Sequence, residues 1–266
     1  MNIASVLPAW RPAWPIISQE TRDRVSAVAL QCLKEVGVSL SMKLIVSAFV
    51  ATPAGFTVLC LSFWIQCAAS VALHSLRQWT PFPETTAWLS AASFAILSAF
   101  DFQNLIHETG HAAAALMLYQ NPRPWIDIMP LFGGNTELYK NGLSKVGKAL
   151  GPVATTFFTV AGGPGLAIAV SSTLFAIGMA ARQSHPMTSK YLLTSSMVDF
   201  LHHIYYAHSA MNAEQWNLQH DFVHLSVFGV PPIAVMIGIV SIPILIGIGF
   251  YFRKSQNSNL AVTVNP

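Results

Sequence analysis

Long apolar stretches dominate this chain, and each is long enough to cross the hydrocarbon core of a bilayer. A transmembrane helix needs about 20 predominantly apolar residues. Stretches of that length occur at residues 44–73, 86–119, 150–181, 191–211 and 227–252. We therefore predict an all-α polytopic membrane protein with about five transmembrane helices in a lipid bilayer.

Between the second and third predicted spans, the pattern changes from continuous to alternating. Apolar and polar residues alternate over residues 125–130, and two glycines, Gly133 and Gly134, precede a second short stretch at 136–139. A period of two is typical of a β-strand, and paired glycines favour a turn. The pattern predicts a short β-hairpin with a glycine turn.

The two ends of the chain differ from this apolar middle. Residues 1–43 are predicted to be an N-terminal cytoplasmic or interfacial segment, since 18–40 has the pattern of an amphipathic helix lying on the membrane surface. An ordinary solvated helix fits the same pattern. Residues 44–252 form the predicted transmembrane domain, and the polar tail at 253–266 is predicted to be disordered.

Composition and charge agree with a membrane protein and argue against a nucleic-acid partner. Of the 266 residues, 53% are hydrophobic and only 9% are charged, whereas soluble domains have about 25% charged residues. The net charge of +3 is dispersed, without the basic cluster that nucleic acids require. Lysine and arginine are more frequent before the first span and after the second than in the opposite loops. The positive-inside rule therefore predicts that the N-terminus and the C-terminal end of the second span face the cytoplasm.

The most specific chemical signal is the motif His107-Glu108-Thr109-Gly110-His111 near the end of the second span. Two histidines four residues apart lie on one helix face and can bind one Zn²⁺. The carboxylate between them is close enough to take a proton from a water molecule that the metal polarises. Such polar groups are unfavourable in an apolar helix unless they face a cavity inside the protein. We therefore predict an intramembrane site with His107 and His111 as metal ligands and Glu108 as the catalytic base.

A catalytic zinc normally has three protein ligands and one open position, so a further ligand must come from downstream. The candidates in or after the fourth span are Asp199, His202, His203, His208, His220, Asp221 and His224. We favour Asp221, because it follows the fourth span at the membrane level of the motif, and the start of the next helix would orient it. Asp199, near the opposite end of that span, and the histidines remain alternatives.

The order of these features resembles the site-2 protease family of intramembrane zinc metallopeptidases. Over about residues 95–235 the chain has His-Glu-Thr-Gly-His-Ala, a hairpin with a glycine pair, a Gly-Gly-Pro patch at 162–164 and a downstream aspartate. The resemblance implies a core of transmembrane helices with one Zn²⁺ per chain bound by His107, His111 and an aspartate. It also implies cleavage of a partner's transmembrane segment, with an edge strand pairing to the unwound substrate. The sequence around Asp221 differs from the family's Asn-Pro-Asp-Gly pattern, since it has neither the proline nor the glycine.

The expected function is hydrolysis of peptide bonds in or near transmembrane segments of membrane proteins by a zinc metalloendopeptidase. Two other hypotheses fit the sequence. His107/His111 and His220/His224 are both His-x-x-x-His pairs, and membrane desaturases and hydroxylases hold two irons with similar histidine boxes. The non-enzymatic alternative is a membrane scaffold in which the motif is inert.

Overall fold

The computed structural model describes residues 18–77, 83–213 and 220–263. In chain order the elements are α1 (Gln19–Ser47), α2 (Pro53–Arg77), α3 (Pro83–Phe94), a π-helical segment (Ala95–Ala99), α4 (Phe100–Leu118), β1 (Arg123–Met129), β2 (Gly133–Tyr139), α5 (Lys145–Leu150), α6 (Pro152–Ala180), α7 (Pro186–Ser209), α8 (Asp221–Val227) and α9 (Pro232–Thr263). The chain is predominantly helical with one small antiparallel sheet, as predicted. Helix α9 includes residues 253–263, where we expected a disordered tail. Residues 1–17 of the N-terminal segment and 264–266 of the tail lie outside the described residues.

Proline marks the start of most of the long helices. The helices that begin with this residue are α2 at Pro53, α3 at Pro83, α6 at Pro152, α7 at Pro186 and α9 at Pro232. Proline suits the first helical position because its φ angle is already helical and the missing N–H would have no intrahelical acceptor there. Helices α1 and α5 instead begin after serines whose side-chain oxygens accept a backbone N–H of the first turn.

Four helices in the described part of the chain are long and apolar enough to cross a membrane. They are Gln19–Ser47, Pro53–Leu76, Pro152–Ala180 and Pro232–Arg253. Three of them overlap the spans predicted at 44–73, 150–181 and 227–252. The spans predicted at 86–119 and 191–211 are also helical, but α4 and α7 bury many polar residues, which lower their hydropathy. The four apolar helices indicate a membrane protein.

Helix α1 is one of these four, although the sequence pattern predicted an interfacial segment there. Its polar residues Glu35, Ser39 and Lys43 are buried, whereas Val25 and Leu33 are 61% and 68% exposed. The helix therefore turns its polar face inward and its apolar face outward, which suits a lipid surrounding better than water. An amphipathic sequence pattern does not reveal which face is covered, so the sequence alone could not distinguish the two cases.

The polar face of α1 finds partners on the neighbouring helices. Lys43 Nζ donates to Ser62 Oγ at 2.6 Å and lies 3.6 Å from the carboxylate of Asp101 on α4. Glu35 Oε1 lies 2.8 Å from His74 Nε2 on α2. Buried charges are tolerated when they are paired and hydrogen-bonded. These contacts therefore hold α1 against α2 and the N-terminal half of α4.

The predicted hairpin is confirmed, but its turn differs from the prediction. Met129 pairs with Gly133 and Ile128 with Gly134, so the connecting loop consists of residues 130–132. Leu131 in this loop has a positive φ of 65°. The expected glycine turn is therefore wrong, and the glycine pair begins β2 instead. The backbone geometry of Gly133 and the contact of Gly134 with α4, described below, explain why the glycines are in the strand.

The hairpin is attached to the helices along β1 and its loop. Ile128 N donates to Phe49 O at 2.8 Å, and Leu131 N donates to Asp101 Oδ1 at 2.7 Å. Ile128 is buried in a cluster that includes Leu105 of α4. The sheet thus lies along α4, the helix that carries the histidine motif.

Helices α3 and α4 are continuous through the π-helical segment Ala95–Ala99. In a π-helix each N–H bonds to the carbonyl five residues earlier, so one turn holds an additional residue. The segment therefore sets the rotation of α4 relative to α3, and with it the face on which the motif lies.

Candidate metal centre

His107 and His111 lie one turn apart on α4, and their Nε2 atoms are 3.3 Å apart. Asp221, the first residue of α8, approaches both of them. Its Oδ2 lies 2.9 Å from His107 Nε2, and its Oδ1 lies 3.3 Å from His111 Nε2. Ligand atoms of the three residues lie within 4.8 Å of one another, and no other group of three or more such residues was found among those described.

The spacing and chemistry of this group fit a zinc ion. Zinc binds imidazole nitrogen and carboxylate oxygen at about 2.0–2.2 Å, which puts tetrahedral ligands about 3.3–3.6 Å apart. The two Nε2 atoms are 3.3 Å apart, and each has an Asp221 oxygen nearby, Oδ2 at 2.9 Å from His107 and Oδ1 at 3.3 Å from His111. Two imidazoles and one carboxylate are also a known set for catalytic zinc, which leaves the fourth position open.

The orientation of His111 is fixed by helix α6. Its Nδ1 donates to the backbone carbonyl of Thr159 at 2.8 Å. Because a carbonyl only accepts, the proton of the neutral imidazole lies on Nδ1, and the Nε2 lone pair points to the group. Such a partner on the second nitrogen is a regular feature of metal-binding histidines.

Glycines allow α4 and α6 to approach closely enough for this contact. A Cβ added to Gly110 would overlap the carbonyl of Gly162, and a Cβ added to Gly163 would overlap the imidazole of His111. Gly165, on the same helix, has open space at this position. Both glycines of the Gly-Gly-Pro patch, Gly162 and Gly163, therefore lie at the helix contact, and Gly163 lies beside the histidine ring.

Asp221 is positioned by contacts of α8 with both α6 and α7. Its backbone N–H donates to the Tyr206 hydroxyl at 3.2 Å. The next residue, Phe222, is buried with Leu225 against Ala207. These contacts bring the carboxylate to the two histidines across a separation of more than a hundred residues.

The charge state of Asp221 also suits a metal. Burial would raise the pKa of this carboxyl, but in the metal-free state Nε2–H groups of His107 and His111 can donate to it, which outweighs burial and holds the pKa below its ordinary value. A bound metal ion would take the place of those protons. Burial lowers the pKa of His224 on the same short helix. The aspartate is therefore ionised near neutral pH, and His224 is uncharged.

Glu108 faces the hairpin. Its Oε2 accepts a hydrogen bond from Thr136 Oγ1 at 2.6 Å. A Cβ added to Gly134 would lie 2.6 Å from Glu108 Cγ and 2.9 Å from the side chain of Ile128. This close approach requires glycine at 134, and Gly133 before it has a positive φ of 123°, which favours glycine for a different reason.

These groups line one cavity of about 450 Å³, a volume typical of ligand pockets. The lining residues are Asn104, His107, Glu108, His111, Phe132, Gly133, Gly134, Asn135, Thr136, Leu138, Lys140, Thr159, Val160, His202, Tyr206, Asp221 and His224. The three candidate ligands, the candidate base and strand β2 therefore line the same cavity.

Comparisons with known proteins identify no relative. No protein-family model matches the chain, and neither the curated proteins nor the solved structures gave a match. The functional argument therefore depends on the geometry of the site itself.

Asp199, the alternative third ligand, lies apart from the candidate metal-binding group. Its Oδ2 accepts a hydrogen bond from Ser171 Oγ at 2.6 Å, and its Oδ1 lies 3.3 Å from His203 Nδ1. Both oxygens thus have partners on α6 and α7. The structure brings Asp221, rather than Asp199, to the two histidines.

The remaining histidines do not join the group either. His220 Nε2 lies 2.8 Å from Ser209 Oγ, and its ring stacks on Tyr206. His202 and His224 line the cavity, and His208 lies in the last turn of α7. In the described residues, His220 and His224 therefore form no second metal cluster of the kind that a di-iron centre requires.

Sequence analysis missed three residues that hold the site together: Thr136, Thr159 and Tyr206. Each reaches the motif from another element, and no local pattern identifies such a contact in advance. The contact between Asp199 and His203 could have been predicted, because residues four positions apart lie on the same face of a helix.

Proposed function

We propose that this chain is an integral membrane zinc metallopeptidase of the site-2 protease type, which hydrolyses peptide bonds in or near transmembrane segments of membrane proteins. One observation carries the proposal: the convergence of His107, His111 and Asp221 on one point, inside a cavity that also contains Glu108. Three zinc-type ligands with a neighbouring glutamate are the arrangement of metal-dependent hydrolases.

Zinc bound by these residues would polarise a substrate carbonyl and make a water molecule more acidic. Glu108 is the group available to take the proton from that water and to pass it to the leaving amine. Thr136 holds one carboxylate oxygen of Glu108, which leaves the other oxygen for the water. His107, His111 and Asp221 hold the reacting centre in place.

The substrate in this proposal is an extended peptide segment. A helical backbone shields its carbonyls by internal hydrogen bonds, so a transmembrane helix must unwind before hydrolysis. Gly133, Gly134, Asn135 and Thr136 of β2 line the cavity. An unwound segment that pairs with β2 in β-augmentation would have its backbone aligned beside Glu108.

The proposed setting is a bilayer with the active site toward the cytoplasm. The cytoplasmic N-terminus predicted from the sequence does not fit this setting, because α1 is itself a candidate span and the loop after it contacts the hairpin through Phe49, which puts Gln19 on the opposite side. Four apolar helices support the membrane location, and the lysines and arginine of residues 123–148 support the orientation of the active site. Fusion of a cytoplasm-dependent reporter to either terminus tests this topology.

Metal content of the purified protein tests the chemistry. We expect about one zinc per chain in detergent-purified parent protein by mass spectrometry, and its loss in His111→Ala and Asp221→Ala. His224 lines the same cavity without belonging to the group of three ligands. The variant His224→Ala is therefore the matched control, and it should bind zinc like the parent. Two irons per chain, lost in His224→Ala, would instead identify an oxygenase. A folded parent without bound metal would favour a scaffold.

A further inference from the structure

One face of helix α7 supports the metal-binding group from behind. Asp199, His203 and Tyr206 are spaced four and three residues apart, so they lie on the same side of the helix. Tyr206 contacts Asp221, as described above. Asp199 and His203 are each only 2% exposed, and the mechanism outlined above uses neither of them.

His203 lies between a metal-binding histidine and an acceptor. Its Nε2 is 3.4 Å from His107 Nδ1. Its Nδ1 is 3.0 Å from the backbone carbonyl of Asp199 and 3.3 Å from Asp199 Oδ1. Ser171 of α6 donates to the other carboxylate oxygen at 2.6 Å, so the aspartate is held in turn by a third helix.

The direction of these hydrogen bonds follows from the backbone carbonyl of Asp199, which is the last acceptor in the series. A backbone carbonyl cannot donate, so His203 Nδ1 carries the proton and, in the neutral ring, Nε2 carries the lone pair. That lone pair can accept only from a protonated His107 Nδ1. His107 then has its own lone pair on Nε2, the atom that faces Asp221 and His111.

We propose that His203, held by Asp199, is a positioning residue that selects the metal-binding tautomer of His107. The inference rests on the proposed function, since it concerns the same metal centre. Each ligand histidine would then have a hydrogen-bond acceptor for its Nδ1–H group. His111 donates to the carbonyl of Thr159 on α6, and His107 donates to His203 on α7. Loss of such a partner typically weakens metal binding by about 10- to 100-fold.

Two amide substitutions separate the contacts of His203. The Gln side chain in His203→Gln has its terminal atoms at the distance of Nε2, so its amide oxygen can still accept from His107 Nδ1. The Asn side chain in His203→Asn ends at the distance of Nδ1, so it keeps the contact with Asp199 but does not reach His107. Both substitutions introduce a neutral amide into the same buried site.

Zinc affinity, measured by competition with a chromophoric chelator, is expected to fall about 10- to 100-fold in His203→Asn. In His203→Gln it should stay within about threefold of the parent, because the acceptor is retained. Equal affinity in His203→Asn and the parent, or a greater loss in His203→Gln than in His203→Asn, would overturn the inference and leave the metal site intact. A parent protein that binds no zinc would overturn the proposed function itself.

A spectroscopic measurement tests the tautomer without any substitution at the ligands. In zinc-loaded protein with ¹⁵N-labelled histidine, the resonances of His203, assigned by their absence in His203→Gln, should show a protonated Nδ1 and an unprotonated Nε2. If His203 served only to fill space, either tautomer of its ring would be compatible with that role. The opposite tautomer would contradict the proposed direction of the hydrogen bonds.

Discussion

The Thr136 hydroxyl donates to Glu108 Oε2 at 2.6 Å, and it also lies 3.1 Å from the backbone carbonyl of the same residue. The two residues are 28 positions apart in the sequence, on the second strand of the hairpin and on helix α4. The strand proposed to bind substrate is therefore in direct contact with the proposed base. Movement of the hairpin would change the orientation of the Glu108 carboxylate.

Removal of this hydroxyl should slow hydrolysis without releasing the metal. In Thr136→Val the shape of the side chain is kept, but Glu108 loses one hydrogen bond, which typically contributes about 1 kcal/mol. We expect roughly five- to tenfold slower cleavage with unchanged zinc content. The rate can be followed as new N-termini in membrane proteins of cells that express each variant. Thr57→Val is the matched control, since the Thr57 hydroxyl bonds only within its own helix; an equal loss in both variants would argue against positioning by Thr136.

Replacement of the proposed base should separate catalysis from metal binding. Glu108→Gln keeps the size of the side chain and an oxygen able to accept from Thr136, but it cannot take a proton. We expect cleavage to fall by about 10²- to 10⁴-fold and the protein still to bind one zinc. New N-termini that depend on the parent enzyme should be absent from cells with this variant. Undiminished cleavage by Glu108→Gln would eliminate the proposed role.

Two glycines of the same helix provide a matched test of the helix contact. An Ala at Gly163 would overlap the His111 ring, whereas an Ala at Gly165 meets open space. Both substitutions raise helix propensity by about 1 kcal/mol, so that effect cancels in the comparison. We expect about 10- to 100-fold weaker zinc binding in Gly163→Ala, because His111 must move away from Thr159. Gly165→Ala should bind zinc like the parent, and equal affinities for the two variants would contradict the packing argument.

The buried pair of Lys43 and Asp101 should contribute to stability chiefly when one partner is removed. Lys43→Met leaves the fully buried Asp101 carboxylate without its cation, a change that typically destabilises by about 3–5 kcal/mol. The double variant with Asp101→Asn should recover much of this loss, since the amide is neutral and can still accept from Leu131. Thermal unfolding in detergent measures both effects.

An exposed ion pair is the control for that experiment. Arg24 and Glu20 have side chains that are 59% and 71% exposed, and such pairs contribute at most about 1 kcal/mol. Arg24→Met should therefore unfold close to the parent temperature. A double variant no more stable than Lys43→Met would show that the loss comes from packing rather than from the uncompensated carboxylate.

The sequence predicted those parts of the site that depend on one helix. The spacing of His107 and His111 is sufficient to place them on one face, because helix periodicity does not depend on the rest of the fold. Asp221 was favoured from the order of the spans, and α8 does bring it to the histidines. The hairpin was also predictable, since alternation and glycine are local signals.

Contacts between distant elements were not predictable in this way. The support of Glu108 by Thr136 depends on how the hairpin lies over α4, which no pattern within either segment specifies. For α1 the pattern was visible, but its inward polar face was interpreted as a water-facing one. His203 was identified as a candidate ligand, and its place behind His107 depends on the packing of α7 against α4.

The π-helical segment Ala95–Ala99 also determines where the chain tolerates a change in length before the motif. A π-helical turn holds one residue more than an α-helical turn, so deleting one residue there would restore an α-helical turn and leave α4 nearly where it is relative to α3. One residue deleted between Phe100 and His107 would instead turn the motif by about 100°, and His107 and His111 would face away from Asp221. A one-residue gap is therefore compatible with the proposed site at 95–99 and incompatible with it just after that segment, although the motif itself is unchanged in both cases.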